Sequence, residues 1–320
     1  LYLHCDPHGL MLASEIRALA AMRGGYPAPN PMAIFDFLTL GLSDHGPQTF
    51  FEGVESVPPG TILRIGRDGQ AVARAYHRWP SSVEGPPLDA AEVRALVGDA
   101  TRLRLRSDVP AVSFLSGGLD SSIITRLGLQ ARDLPRVSFA GAFTYGYQEA
   151  EHRRFDETER AGDFMAGLGE SARHHVRRLN AVGDETELLD LVAAQDEPFA
   201  TPSILASFRM YRTLQDEGRK VVLSGEGADE LFGGYVRLYH ALAARDALRS
   251  GAFADVFALL KTSSTRPTLI LNRLAWDLPL PLLASLLRRQ RPSVALMSRA
   301  LWQDGRPRLG ELRDDQRSPL

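Results

Sequence analysis

The chain has 320 residues, 44% of them hydrophobic and 24% charged, a balance that suits a globular protein of about two domains with sizeable cores. Its formal net charge of −2 and pI near 6.5 give no electrostatic case for nucleic acid or a membrane surface. The single cysteine, Cys5, excludes a disulfide scaffold and fits a reducing cytoplasm, and no apolar run reaches the roughly 18 residues of a membrane span.

In chain order, periodicity predicts a short helix over 13–22, a hairpin turning near Gly66–Gly69 and a strand at Tyr76–Trp79. Ser, Gly and Pro then cluster in SSVEGPP, so residues 81–88 read as a linker between a domain at 1–80 and a second at 89–320. Asp89 stands where it caps a helix whose apolar positions Val93, Leu96, Val97, Ala100 and Leu103 follow the helical period. A strand at 111–115, a helix at 121–130, a strand at 136–143, a helix at 156–168 and a strand at 174–179 follow. Helices at 184–195 and 203–216 come next, then a strand running into Ser224, and residues 236–312 read as helical. This alternation predicts an α/β fold with a doubly wound, mostly parallel sheet.

Two segments carry chemistry. The apolar run Ala111–Leu115 breaks into SGGLDSS, residues 116–122, and then opens a helix. A strand that ends in Ser and two Gly before a helix presents backbone N–H groups and the positive end of a helix dipole to an anion, with no Cβ in the way. Gly-Gly before a polar residue is also an ordinary strand-to-helix turn. The chain lacks the Gly-Lys-Ser/Thr of a Walker loop and has Asp120 within the segment instead. A carboxylate facing polyphosphate repels it unless a divalent cation bridges the two, so the segment predicts ATP bound with Mg2+. The second segment is SGEGADELFGGY, residues 224–235, entered from another apolar β-branched run. Loops at the carboxyl ends of parallel strands converge on one crevice, which would bring Asp229 and Asp120 to one metal. The simpler reading makes Glu226, Asp229 and Glu230 favourable charges at a helix N-terminus.

Together, SGGLDSS and SGEGADELFGGY resemble the paired motifs of the glutamine-hydrolysing asparagine synthetase family, within the superfamily of ATP pyrophosphatases, whose members cleave ATP between the α and β phosphates. The resemblance implies ATP-dependent amide formation through an acyl-adenylate, with release of AMP and pyrophosphate. Leu115, Ser116, Gly117, Gly118, Leu119, Asp120, Ser121 and Ser122 would then hold the pyrophosphate part of ATP. Gly141, Ser224, Gly225 and Glu226 would meet the nucleotide, Asp120 and Asp229 the Mg2+, and Asp120 and Glu226 the catalytic chemistry. The implied partners are small molecules: ATP, aspartate or another carboxylate, and ammonia from glutamine. A homodimer is among the assemblies the resemblance allows.

Residues 1–79, with ASEIRAL at 13–19, TFFEGV at 49–54 and VPPGT at 57–61, resemble the last third of the family's Ntn-type glutaminase domain. That domain's nucleophile is a Cys at its first residue, so the resemblance implies a fragment that starts late. Cys5 reads as structural, and neither Lys220 nor Lys261 matches the family's catalytic Lys, which implies a segment beyond Leu320 as well. Within the family, β-lactam synthetases and lasso-peptide cyclases apply the same ATP chemistry to other carboxylates. From a different class, a nucleotide-binding regulator without catalysis shares the same motifs. His174 and His175 point to opposite faces of a strand and do not chelate one metal. The Arg clusters at 102–106 and 287–291 could bind phosphates but read first as solvated helix faces, and YGYQEAEH at 145–152 is longer than the family's usual connection. For DEPFATPS at 196–203 the resemblance implies a segment facing the amino-acid substrate, while Asp196 and Glu197 could equally cap local turns.

Overall fold

The computed structural model describes residues 1–255 apart from 8, 68, 79–85, 149–155, 181–184, 200, 202, 236–238, 240–242, 244–245, 248–249 and 253. Most of the linker 81–88, the far half of the 145–152 connection, the Arg cluster 287–291 and nearly all of the expected helices at 236–312 lie outside the described residues. Two units emerge. The first draws its described residues from Leu1–Glu84, Val192–Thr201 and Val236–Leu320, and the second from Gly85–Leu191 and Pro202–Tyr235.

In the first unit, β1 (Tyr2–Asp6) lies between β2 (Gly9–Ala13) and β3 (Val54–Ser56), antiparallel to both. Helix α1 (Ile16–Arg23) packs Ile16 and Leu19 with Val54 into a small core. It starts three residues later than predicted because Ala13 belongs to the ladder, opposite Tyr2. Helix α2 (Pro31–Leu40), which periodicity did not predict, is started by Asn30, whose Oδ1 accepts from Met32 N at 3.0 Å and Ala33 N at 3.3 Å, with Pro31 in the first helical position. Strands β4 (Thr61–Ile65) and β5 (Ala71–Ala75) form the predicted hairpin. The expected strand at Tyr76–Trp79 is displaced to β5. Tyr76 N and His77 N both turn to the Gly60 carbonyl, at 2.8 and 3.2 Å, which ends the ladder, and Trp79 lies outside the described residues.

The second unit opens with α3 (Ala90–Arg104). Asp89 Oδ1 accepts from Ala91 N and Glu92 N, and Asp89 N donates to Glu92 Oε2, a reciprocal capping box. The sheet that follows has four parallel strands in the order β8 (His174–Leu179), β7 (Phe139–Tyr147), β6 (Ala111–Phe114), β9 (Val221–Leu223). Helices α4 (Leu119–Ala131) and α5 (Thr158–Gly167) bury Leu129, Ala161 and Met165 with Ala111 and Phe139 on one side. Helix α7 (Ser203–Asp216) sends Leu214 against Val112 and Phe143 on the other, so helices cover both faces, as predicted. Helix α6 (Glu185–Gln195) precedes α7, and the short α8 (Ala228–Phe232) follows β9.

This strand order positions the site. The chain steps from β6 to β7 to β8 in one direction, then returns to place β9 on the other side of β6. The connection leaving β6 runs to β7, away from β9, and at this switch in strand order a crevice opens at the carboxyl ends of β6 and β9, where open α/β sheets bind ligands.

Candidate functional site

Both motif loops leave the sheet at that switch point. After Leu115 the chain turns through Ser116, Gly117 and Gly118 into α4, whose N-cap is Gly118. A glycine cap offers no side-chain acceptor, so the amides of the first turn remain available to an anion. The turn is braced from within. Ser116 N donates to Ser121 Oγ at 3.2 Å, the two serine hydroxyls lie 2.9 Å apart, and Gly118 N donates to Ser116 Oγ at 3.2 Å. Gly117 has φ of +72°, and a Cβ there would sit 2.8 Å from Arg160 Cγ and 2.9 Å from Ala161 N, so the start of α5 presses on the loop and admits only glycine. Below the loop, Ser113 and Thr125 share a buried hydroxyl hydrogen bond of 2.8 Å that fixes α4 to β6.

The second loop meets the first. A Cβ on Gly225 would lie 2.9 Å from Ser121 N and 3.1 Å from Asp120 Cβ, so the backbone of 224–225 runs directly over the first turn of α4. Beyond it, Gly233 N and Gly234 N donate to the Asp229 carbonyl at 3.0 and 3.1 Å, and a side chain at Gly234 would collide with the Asp229 carboxylate. Gly234 of the motif thus makes room for that acid, while Gly233, at φ of +81°, ends the helix.

Between the loops lies a cleft of about 390 Å³. Of the residues singled out in the sequence, Leu115, Ser116, Gly118, Asp120, Ser121, Ser224, Gly225, Glu226 and Asp229 line it. Gly117, Leu119, Ser122 and Gly141 stand off its wall. Leu119 is 75% exposed, Ser122 N bonds the Gly118 carbonyl within the helix, and Gly141, at φ of +138°, leaves room for the Arg173 carbonyl.

Sequence reasoning missed the rest of the wall, which includes Phe143, Tyr145, Tyr147, Glu157, Ala206 and Met210. Strand β7 runs on to Tyr147 because β8 pairs with it as far as Leu179, which brings in Tyr145 and Tyr147. Tyr145 is anchored by donating to the Met210 carbonyl at 3.0 Å, and burial pushes its phenol upward. The alternating aromatics of FTYGY, which fit a half-buried strand, are the signal that would have extended β7.

The cleft is acidic. Its charged lining residues are Asp120, Glu157, Glu226 and Asp229, and no Lys or Arg is among the described residues of the wall. Such a wall admits polyphosphate only with a cation between them. No three His, Cys, Asp or Glu side chains come together as a protein cage among the described residues. Hard carboxylate oxygens in small number suit Mg2+, which takes one or two carboxylates and completes its shell from phosphates and water. Asp120 and Asp229 have the chemistry for it.

Burial raises the Glu157 carboxyl, and Asp156 adds to the rise while Arg160 opposes it. The folded chain therefore holds this proton to higher pH than the unfolded chain does, and stability is lost as pH rises through the folded value. We expect Glu157→Gln to raise Tm at pH 8 and leave it unchanged at pH 3, below the ordinary carboxylate range, where both states are protonated. Equal Tm shifts at the two pH values would contradict this assignment.

Other singled-out groups have local roles. In the first unit, Asp196, at φ of +61°, accepts from Arg17 N at 2.9 Å and Tyr26 Oη at 3.2 Å, and Glu197 accepts from Phe50 N at 2.8 Å. Cys5 is exposed on β1 opposite Leu10. Arg102 pairs with Asp99 on an exposed face of α3. His174 and His175 part as expected, His174 to Thr144 and His175 onto the Phe143 ring at 4.8 Å. Among the described residues no helix is long and apolar enough to cross a membrane.

Comparison with known proteins adds independent findings. The family model described as "Asparagine synthase" matches residues 92–319. A putative asparagine synthetase [glutamine-hydrolyzing] of Mycobacterium tuberculosis is 35% identical over 195 residues, 59% of this chain and 28% of the relative. Asparagine synthetase [glutamine-hydrolyzing] 1 of Bacillus subtilis is 33% identical over the same shares of each chain. A putative asparagine synthetase [glutamine-hydrolyzing] 2 of Methanocaldococcus jannaschii is 27% identical over 73% of this chain and 44% of its own length. The matched part thus spans less than half the length of each of these curated relatives.

Proposed function

The chain belongs to the asparagine synthase family, and from that premise we propose that its cleft binds ATP with Mg2+ and activates a carboxylate, foremost the side chain of aspartate, for amide formation. The observation that carries this reading is the convergence of the two motif loops, with Gly225 lying on the first turn of α4 and four carboxylates lining the cleft between them.

In this reading the substrate carboxylate attacks the α phosphorus, pyrophosphate departs, and ammonia then displaces AMP from the acyl-adenylate. The free amides of the first turn of α4 receive the charge that develops on the departing pyrophosphate, where prearranged donors act most strongly. Ser116 and Ser121 keep the loop in that shape through their mutual hydrogen bond. Asp120 and Asp229 would hold the metal, which supplies charge neutralisation between the phosphates and this acidic wall. Ser224 and Gly225 fix the nucleotide against α4, and Glu226 takes a proton from the attacking ammonia. Glutamine as the ammonia source, carried by a glutaminase domain of which residues 1–80 form the last part, completes the proposal for the whole protein.

The test is asparagine formation by the full-length protein from aspartate and Mg-ATP, with ammonia or glutamine as nitrogen source. Asparagine formed with ammonia supports the reading, and its formation with glutamine supports the glutaminase assignment. AMP released only with a different carboxylate would replace aspartate as substrate. Tight ATP binding with no turnover on any carboxylate would leave a regulator.

A further inference from the structure

Leu115 is the last residue before the phosphate loop and is only 2% exposed. Its N–H donates to the Phe143 carbonyl at 2.8 Å, continuing the β6–β7 pairing. Its carbonyl accepts from Thr144 Oγ1 at 2.6 Å, a side chain on the neighbouring strand. Both backbone groups of Leu115 are thus held by β7, and this hold sets the direction in which the chain leaves the sheet into Ser116–Gly118.

Thr144, itself 2% exposed, has a second partner, His174 Nε2 at 2.8 Å. A hydroxyl has one proton, and a carbonyl oxygen only accepts. The Thr144 proton therefore goes to Leu115, and the Thr144 oxygen must accept from His174. That requires His174 to bear its proton on Nε2. The three groups form a chain across three adjacent strands, β8 to β7 to β6, ending on the carbonyl at the mouth of the loop.

We propose that His174 and Thr144 are positioning residues for nucleotide binding: the His174 Nε2–H orients the Thr144 hydroxyl, which fixes Leu115 and with it the amides that receive phosphate. The inference rests on the nucleotide reading above and adds to it a device absent from both motifs. Leu115 and Thr144 are buried and His174 is half-buried, and a buried polar group left without its partner costs more than the bond contributes, so the three act as a unit. Neutral and protonated His174 both present the Nε2 proton, so the device is insensitive to pH on the acid side. Burial first, and the neighbouring His175 second, lower the His174 value and favour the neutral ring.

The experiment measures binding of Mg2+ with α,β-methylene-ATP to the full-length protein and separates the KM for Mg-ATP from the KM for the carboxylate. Thr144→Val keeps the shape and removes the hydroxyl, and is expected to weaken nucleotide binding about tenfold, the scale of one buried hydrogen bond. Thr144→Ser restores the hydroxyl and should restore binding to within about twofold. His174→Leu should match Thr144→Val, and the double variant should be no weaker than either, as expected of groups in one network. His174→Gln, which keeps an N–H donor, should recover part of the loss. The carboxylate KM should not move, and 15N NMR should show His174 protonated on Nε2. Should Thr144→Val fail to fold, the His174 pair and the NMR signal carry the test. Wild-type binding with an unchanged Thr144→Val, equal rises in both KM values, or a His174 ring protonated only on Nδ1 would overturn the positioning role alone. Failure of the wild type to bind the analogue would overturn the nucleotide reading and this inference with it.

Discussion

Asp120→Asn in the full-length protein is expected to lower kcat for carboxylate-dependent AMP formation by about a hundredfold to a thousandfold, the range seen when one prearranged charge-stabilising group is lost. The substitution keeps the side-chain shape and removes the charge. Its structural cost is limited to the favourable placement of an acid in the first turn of α4, on the order of 0.3–1 kcal/mol. A stability loss of that size leaves the protein folded, so the activity loss reports the metal and phosphate chemistry. The two readings of this acid therefore separate cleanly. If Asp120 serves only the helix dipole, Tm falls slightly and AMP formation continues; if it holds Mg2+, raising the Mg2+ concentration should recover part of the lost rate. Unchanged AMP formation would remove Asp120 from the site.

Gly225→Val is expected to weaken nucleotide binding by roughly tenfold to a hundredfold, through sterics alone. Even the first added carbon would stand 2.9 Å from Ser121 N and 3.1 Å from Asp120 Cβ, so backbone must move, and forced overpacking costs about 1–3 kcal/mol. Here that cost falls on the junction between the two loops. Gly162→Ala in α5 is the control, since a Cβ there meets nothing within 4 Å and alanine favours the helix by up to about 1 kcal/mol. Nucleotide affinity should drop in the first variant and hold in the second. Wild-type affinity in Gly225→Val would mean that the two loops do not act on one ligand.

The loops were legible because each breaks an apolar run with glycine, serine and acid in a local pattern, and local patterns survive in sequence. The sheet class was legible for the same reason, since strand and helix periods alternate from Ala111 to Leu223. What escaped depends on partners distant along the chain. Strand β7 was expected to stop at Phe143, whereas its pairing with His174–Leu179 carries it to Tyr147 and supplies the aromatic wall. Glu157 falls in the first turn of the helix expected at 156–168, where an acid draws no notice, and only the fold turns it to the cleft. His174 was rightly placed in a strand, but nothing near it in sequence announces Thr144, thirty positions away. The helix Pro31–Leu40 is the exception, because Asn30 followed by Pro31 is a local start signal that periodicity alone passed over.

Attack of a carboxylate on the α phosphorus of ATP in this cleft would be recorded in the fate of the carboxylate oxygen. The full-length protein would be given Mg-ATP, ammonia and aspartate labelled with 18O in its side-chain carboxylate, and the nucleotide and phosphate products weighed by mass spectrometry. The expected product is AMP bearing one 18O atom, formed in step with asparagine and unlabelled pyrophosphate. ADP accompanied by 18O-labelled inorganic phosphate would contradict it, because the attack would then fall on the γ phosphorus.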